Sequence, residues 1–308
     1  MRTPISGAAS FPKDGPRPVV TIGNFDGVHQ GHQVLLRATI DRARALGAPA
    51  VAMTFHPAPR DVLRPDNPIP RIQSLEDRLA CLYDLGMDHV VVEAFTLEMA
   101  AQSPREFAQD LLMGQLRSKA LVLGWDFRFG ARRAGTVERL RELVDIEVQQ
   151  VDVHTDDGTQ AVSSSRIRTL VQEGHVAEAA VLLTRPHRLR GTVIPGDQRG
   201  RTLGFPTANV AVQTALTPAC GVYAVQVVRD GQRLPGVANY GLRPTFGGGP
   251  PLLEVHLIDF EGDLYGEALA VDVIDRIRGE VAFEDVEQLR DQIGRDRQSA
   301  RTVLGLDP

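Results

Sequence analysis

Residues 23–32, GNFDGVHQGH, place two imidazoles three positions apart, just behind two glycines and an aspartate. Gly23 and Gly27 allow tight backbone geometry and close approach of a ligand. His29 and His32 fall where a helix should begin, and there free N–H groups and the helix dipole favour an anion. Imidazoles at that place can donate hydrogen bonds to phosphate oxygens. No Lys-Ser/Thr follows, so this is not a Walker A loop, and the spacing is not the GxGxxG dinucleotide fingerprint. Two histidines are also half of a zinc site, but no third ligand sits nearby at a fitting spacing.

Four further stretches carry chemistry. Residues 123–135, LGWDFRFGARRAG, combine the carboxylate of Asp126 with aromatics, arginines and glycines. Residues 163–168, SSSRIR, stack three hydroxyls and two arginines at a helix start. Ser165 as a helix cap accounts for one hydroxyl, while Ser164 and the Arg168 guanidinium suit a second phosphate cradle. In residues 191–210, GTVIPGDQRGRTLGFPTANV, Gly196, Gly200 and Gly204 make a loop that Arg201 charges. Thr207 and Asn209 follow two apart on an extended stretch, so both can face one way. Their neutral oxygens suit Mg²⁺ when ATP phosphates supply its other ligands. In LLEVHL, residues 252–257, Glu254 and His256 share the face opposite three apolar side chains. A carboxylate there could accept the proton of an alcohol during γ-phosphate transfer.

The elements that must hold these residues follow two patterns. From 19 to about 184, buried strands (VVTI, AVAMTF, HVVVEAF, KALVLG, IEVQQVDV) alternate with amphipathic helices. Leu36, Ile40, Ala43 and Leu46 line one helix face, and Ser74–Asp77 and Ser103–Glu106 are capping signals. This predicts an α/β domain with a mostly parallel sheet, whose ligands bind beyond the carboxyl ends of the strands. After TRPH, residues 184–187, six strand-like segments with Gly-rich turns, one of them Asp230-Gly231, predict a small antiparallel barrel. A helix over 284–305 closes the chain. The expected division is a flexible N-terminal arm over 1–18, a first domain over 19–186 and a second over 187–308.

The 308 residues are 43% hydrophobic, with a formal net charge of −5 and mixed signs along the chain. A general polyanion binder is therefore not expected. Two cysteines, Cys81 and Cys220, without metal spacing fit a reducing compartment. The first residues lack a signal-peptide core, and no apolar run approaches the ~20 residues of a membrane span. A soluble, cytoplasmic protein is expected, acting on small molecules, without nucleic-acid or membrane partners, as a monomer or weak homo-oligomer.

IGNFDGVHQGH, GWDFRFG and SSSRIRTLVQEG together resemble the nucleotidyltransferase half of prokaryotic bifunctional riboflavin kinase/FMN adenylyltransferases, the FAD synthetases. GRTLGFPTAN, GVYAV, GVANYGLRPTF, LEVHLIDFEGDLYGE and QIGRDRQSAR resemble the riboflavin kinase module. The resemblance implies a HIGH-type Rossmann-like nucleotidyltransferase fold followed by a kinase barrel. It implies that the second module phosphorylates riboflavin and the first adenylylates FMN, each with ATP and Mg²⁺. His29, His32 and Arg168 would act on the ATP phosphates, with Gly23, Phe25, Asp26, Gly27, Asp126, Ser164 and Ser165 in the same nucleotide site. In the kinase, Gly196, Gly200, Arg201, Gly204, Thr207 and Asn209 would bind ATP, with Thr207 and Asn209 on the metal. Glu254 would be the general base, and Asn239 and Arg301 would lie near the flavin.

Ser165 stands where the family usually has Thr, Thr184 where it has Gly, Pro195 where His is frequent, and Tyr240 where an aliphatic residue is frequent. Rival readings are a different adenylyl- or cytidylyltransferase, for pantetheine phosphate or nicotinamide mononucleotide, and a flavin-binding or flavin-sensing protein of the same fold that has lost turnover. The kinase-like half weighs against the former, and the presence of His29, His32 and Glu254 against the latter. A nucleic-acid role, suggested by HIGH kinship to tRNA synthetases, lacks a basic face.

Overall fold

The computed structural model describes residues 2–156, 159–196, 204–214, 216–241 and 252–306. The chain divides into two compact units, 1–164 and 165–308.

The first unit is a six-stranded sheet of β1 (Ile5–Ser6), β2 (Val19–Ile22), β3 (Ala50–Phe55), β4 (His89–Glu93), β5 (Ala120–Gly124) and β6 (Glu147–Val151). Their spatial order is β1-β4-β3-β2-β5-β6, and every pairing is parallel. Parallel strands need crossovers, which here include α1 (Gln30–Ala45), α2 (Pro59–Leu63), α3 (Leu75–Asp84), α4 (Leu97–Ala101), α5 (Pro104–Glu106) and α6 (Val137–Leu143). The strands β2 and β3 are buried at every position, as expected where both faces are covered. Chain order runs outward from β2 through β3 and β4, then resumes on its other side with β5. The switch point between β2 and β5 is where such sheets open a crevice for ligands.

Two expectations change here. The helix read over 103–116 is α5, with its Ser103–Glu106 capping box, continued by a π-helical stretch Phe107–Gln115. The N-terminal stretch expected to be a loose arm is instead packed on the sheet. β1 pairs with β4, Glu93 Oε2 accepts from the Ala8 N–H at 2.6 Å, and Ala8 and Phe11 are buried.

A small hairpin of β7 (Thr155–Asp156) and β8 (Gln160–Ala161) precedes α7 (Ser164–Glu173). In the second unit α8 (Val176–Leu183) leads into β9 (His187–Ile194), β10 (Ala208–Val212), β11 (Gly221–Arg229), β12 (Gln232–Gly241), β13 (Leu252–Leu257) and β14 (Ala268–Arg278). These six strands close an antiparallel barrel in the order β10-β13-β12-β11-β14-β9. Closure leaves no free strand edge. Asp230 and Gly231, both at positive φ, turn β11 into β12 as their sequence predicts. The closing helix α9 (Val286–Val303) packs on β11 and β12, with Ala300 against Val222, Ala224 and Val237.

The division between the units falls at Ser164, upstream of the expected position near Pro186. Helix α8 packs on β9 and β14, and its Val176 belongs to the barrel core. Thr184 caps α8 in the left-handed region, φ 62° and ψ 17°, the conformation for which glycine is the usual choice. Tyr240 is buried inside the barrel, so its aromatic ring is a core-filling variation.

Candidate active sites

The stretch Gly23–His32 links β2 to α1 at the carboxyl edge of the sheet, beside the switch point. Its turn is tight: Phe25, Gly27 and Val28 all have positive φ, at 48°, 91° and 42°. Such backbone persists only when its surroundings over-determine it. The Asn24 carbonyl accepts from Thr54 Oγ1 at 3.2 Å and from Arg78 Nη1 at 2.7 Å. Arg78 comes from α3, is 7% exposed, and also donates from Nη2 to the Phe55 carbonyl at 3.4 Å. Burial lowers its pKa, and Asp26 opposes that shift. Asp26 is itself buried, its Oδ1 accepting from the Ile72 N–H at 3.0 Å and its carbonyl from Ser164 Oγ at 2.8 Å. Asp26 and Phe25 thus shape the site from behind. The Phe25 ring is fully buried and stands edge-on to His32.

His29 is the N-cap of α1, and its Nδ1 accepts from the His32 N–H at 3.4 Å. An imidazole nitrogen that accepts carries no proton, so in the neutral ring Nε2 is the donor. The His29 and His32 rings stack with centroids 3.7 Å apart. Burial pushes the His32 pKa well below its ordinary value, and repulsion from His29 and Arg78 adds to this. Near neutral pH His32 is therefore an uncharged donor and acceptor. A Cβ at Gly31 would press on the His29 ring at 3.3 Å and on the Val162 carbonyl at 3.4 Å. The glycine between the histidines is what lets them stack at the helix start.

Asp126 is exposed just past the end of β5, across the switch point from the histidine turn. Ser164 reaches the same turn through its bond to Asp26. Ser165 and Arg168 lie on the first turns of α7, in the second unit. Arg78 and Gly31 were not singled out from sequence. Arg78 did leave a signal, a charge set among Leu75, Leu79 and Leu82 on the apolar face of α3.

In the barrel, Asn209 on β10 pairs with Glu254 on β13, and Glu254 pairs in turn with Asn239 on β12. In-register partners project to one face, so these three polar side chains form a row. Their strand neighbours Val210, Leu253 and Tyr240 make the matching row in the core. Asn209 is 8% exposed, and a Cβ at Gly196 would collide with its side chain, so the Gly196 backbone lies directly against the amide.

Thr207 and Asn209 line one cleft of about 510 Å³, together with Pro206, Phe260, Asp263 and Tyr265. Gly204 and Phe205 line an adjoining cleft of about 370 Å³ with His256 and Arg297. Arg301 pairs with Asp259 at 2.9 Å, and Arg297 pairs with the other oxygen of the same carboxylate; Asp259 and Arg297 both line this second cleft. Gly200 and Arg201 lie outside the described residues. Among the described residues no cluster of three or more His, Cys, Asp or Glu side chains could hold a metal. Neutral Thr and Asn donors fit a hard cation that arrives with a polyphosphate.

The family model described as FAD synthetase matches residues 12–166, and that described as riboflavin kinase matches 183–304. The chain is 39% identical over 292 residues to a bifunctional riboflavin kinase/FMN adenylyltransferase of Escherichia coli, covering 94% of this chain and 93% of that protein. It is 38% identical over 291 residues to the protein of that name from Bacillus subtilis, covering 92% of each. A solved Streptococcus pneumoniae structure, described as a macrolide-efflux protein, is similar with a TM-score of 0.88 at 34% identity, over 97% of this chain and 98% of that one. Among the described residues of this chain, no helix is long and apolar enough to cross a membrane.

Proposed function

The chain belongs to the bifunctional riboflavin kinase/FMN adenylyltransferase family, and from that premise we propose how its residues divide the work. It is an enzyme of flavin cofactor biosynthesis, with a riboflavin kinase and an FAD synthetase module. The observation that carries the assignment of residues is that the histidine turn and the polar row of the barrel lie in different compact units, although Ser165 and Arg168 fall in the second. The histidine turn lies at the switch point of the first, and the Asn209–Glu254–Asn239 row lies on the barrel of the second.

In the first module the nucleophile is the phosphate of FMN, already anionic, so no strong base is needed. It attacks the α-phosphorus of ATP and pyrophosphate leaves. The obstacles are charge repulsion and orientation, which fixed donors address. His29 Nε2–H and His32 supply them at the start of α1, while Arg78 holds the turn that carries them. Ser164, Ser165 and Arg168 hold the triphosphate, and Asp126 borders the nucleotide.

In the second module Glu254 accepts the proton of the ribityl 5′-hydroxyl as its oxygen takes the γ-phosphoryl group, and ADP leaves. The cleft of Thr207 and Asn209 receives ATP, and Asn239 borders the flavin beside Glu254. Thr207 and Asn209 would hold Mg²⁺, which when bound neutralises charge developing on the transferred phosphoryl group. The two cysteines are free thiols, in keeping with work in the reducing cytoplasm.

Incubation with riboflavin, ATP and Mg²⁺, followed by chromatography, tests this. FAD is the expected product. FMN alone would mean an inert first module, and neither product would mean a flavin-binding protein without turnover.

A further inference from the structure

The reactions as derived leave His256 without a task. It lies two residues from Glu254 on β13, so both side chains leave the same face of the strand. Its Nδ1 is 2.9 Å from the carbonyl oxygen of Pro206. A carbonyl only accepts, so this nitrogen carries the proton and donates. The ring also stands edge-on to Phe205, centroids 5.5 Å apart.

The partner matters because of what proline leaves undetermined. The pyrrolidine ring fixes φ of Pro206, and the peptide bonds on either side are planar. Phe205, preceding a proline, is restricted to extended backbone. The one soft dihedral left at Pro206 is ψ, and ψ sets where its carbonyl points. The bond from His256 therefore fixes the last free rotation before Thr207. Two residues on, the β10–β13 ladder takes over with Asn209 opposite Glu254. Pro206 also lines both clefts, with Thr207 and Asn209 on one side and Phe205, His256 and Arg297 on the other. The bond thus lies in the wall between them.

We propose that His256 is a positioning residue of the kinase site, whose Nδ1–H sets the Pro206 peptide and so aims the Thr207 hydroxyl beside Asn209 toward the ATP phosphates. This rests on the reading of Thr207 and Asn209 as the kinase's ATP and metal ligands. Nδ1 keeps its proton whether the ring is neutral or charged, so the bond holds across the working pH range.

The test uses the full chain and follows FMN formation. His256→Phe keeps a ring against Phe205 and removes the donor. Its KM for ATP should rise about tenfold, from a lost hydrogen bond and a misaimed ligand, while its KM for riboflavin stays within about twofold. His256→Asn returns an N–H near the Nδ1 position and should bring the KM for ATP to within about threefold of the parent. FAD formation from supplied FMN should not change in either variant. An unchanged KM for ATP in His256→Phe, or a fall in kcat alone, would overturn the proposal, since lost barrel stability removes active enzyme without changing its affinity. Should the Phe variant fail to fold, His256→Gln replaces it. Its amide sits one methylene further out, so equal KM values for the Gln and Asn variants would overturn the proposal as well. Thr207→Val separates this inference from its premise. If that variant leaves the KM for ATP unchanged, the ligand reading fails and the inference with it. If Thr207→Val raises it and His256→Phe does not, the inference alone fails.

Discussion

Asn209 and Glu254 stand directly opposite each other across the β10–β13 ladder. Opposed residues in an antiparallel pair have Cβ atoms about 4.5–5.5 Å apart. An amide suited to the metal–ATP side and a carboxylate suited to the alcohol side are thereby set one strand apart, on a barrel whose closure fixes their register.

Glu254→Gln keeps the shape and hydrogen bonding of this pair and removes basicity. FMN formation should fall by roughly 10²–10⁴-fold, and FAD formation from supplied FMN should proceed at the parent rate. Near-normal FMN formation would make Glu254 a bystander.

Replacing His29 and His32 together by Ala removes two donors from the start of α1. FAD formation should fall on the order of 10²-fold or more, while riboflavin is still converted to FMN. Equal loss of both activities in a folded variant would contradict the division of labour between the units.

The buried imidazole of His32 also makes a pH prediction. Its pKa is lowered in the folded chain, so below about pH 6.5 the unfolded chain binds the proton more readily. Stability from this group is intact above that pH and is lost as pH falls through it toward the folded value. The melting temperature of the parent, measured against that of His32→Gln, should therefore decline between about pH 7.5 and pH 5. A difference that does not vary with pH would show that His32 titrates alike in both states.

Thr184 caps α8 at φ 62°, where a Cβ is strained. Thr184→Gly should stabilise the chain by about 0.5–1 kcal/mol, the relief of that strain less the added freedom of the unfolded chain. Thermal unfolding should shift up by about 1–4 °C. A downward shift would show that the side chain's own contacts outweigh the strain.

Fragments locate the module boundary. A fragment of about 165–308 keeps α8 and its core residue Val176, and should fold and make FMN without FAD. A fragment of about 187–308 should do the same chemistry but be less stable by about 2 kcal/mol or more, the worth of a buried valine and its neighbours. Equal urea midpoints for the two would place the boundary near Pro186.

What was legible in the sequence was local. The apolar stripe Leu36, Ile40 and Ala43 and the strand before it placed the histidine turn, and all six barrel strands were readable from alternation and from Asp230-Gly231. The row of Asn209, Glu254 and Asn239 was not, because register between strands far apart in sequence is set by closure of the barrel. Arg78 could have been noticed, whereas His256 simply continues the polar face of β13 and finds Pro206 fifty positions away. The N-terminal stretch escapes a reading of its sequence for the same reason. Its partner Glu93 lies 85 residues on, and nothing in Ile5–Phe11 itself announces a strand.

That short stretch has a consequence for how the molecule behaves in company. Without β1, β4 would be the outermost strand at this end of the parallel sheet, its Val91 and Val92 backbone groups unpaired on one side. Such an edge is a template for any other extended chain. Two residues of β1 occupy it, and the chain then leaves the sheet plane through Gly7 and seats Ala8 and Phe11 in the core. The new rim is only two residues long, so at this end of the sheet the N-terminal stretch acts as a stopper that leaves another strand little to pair with.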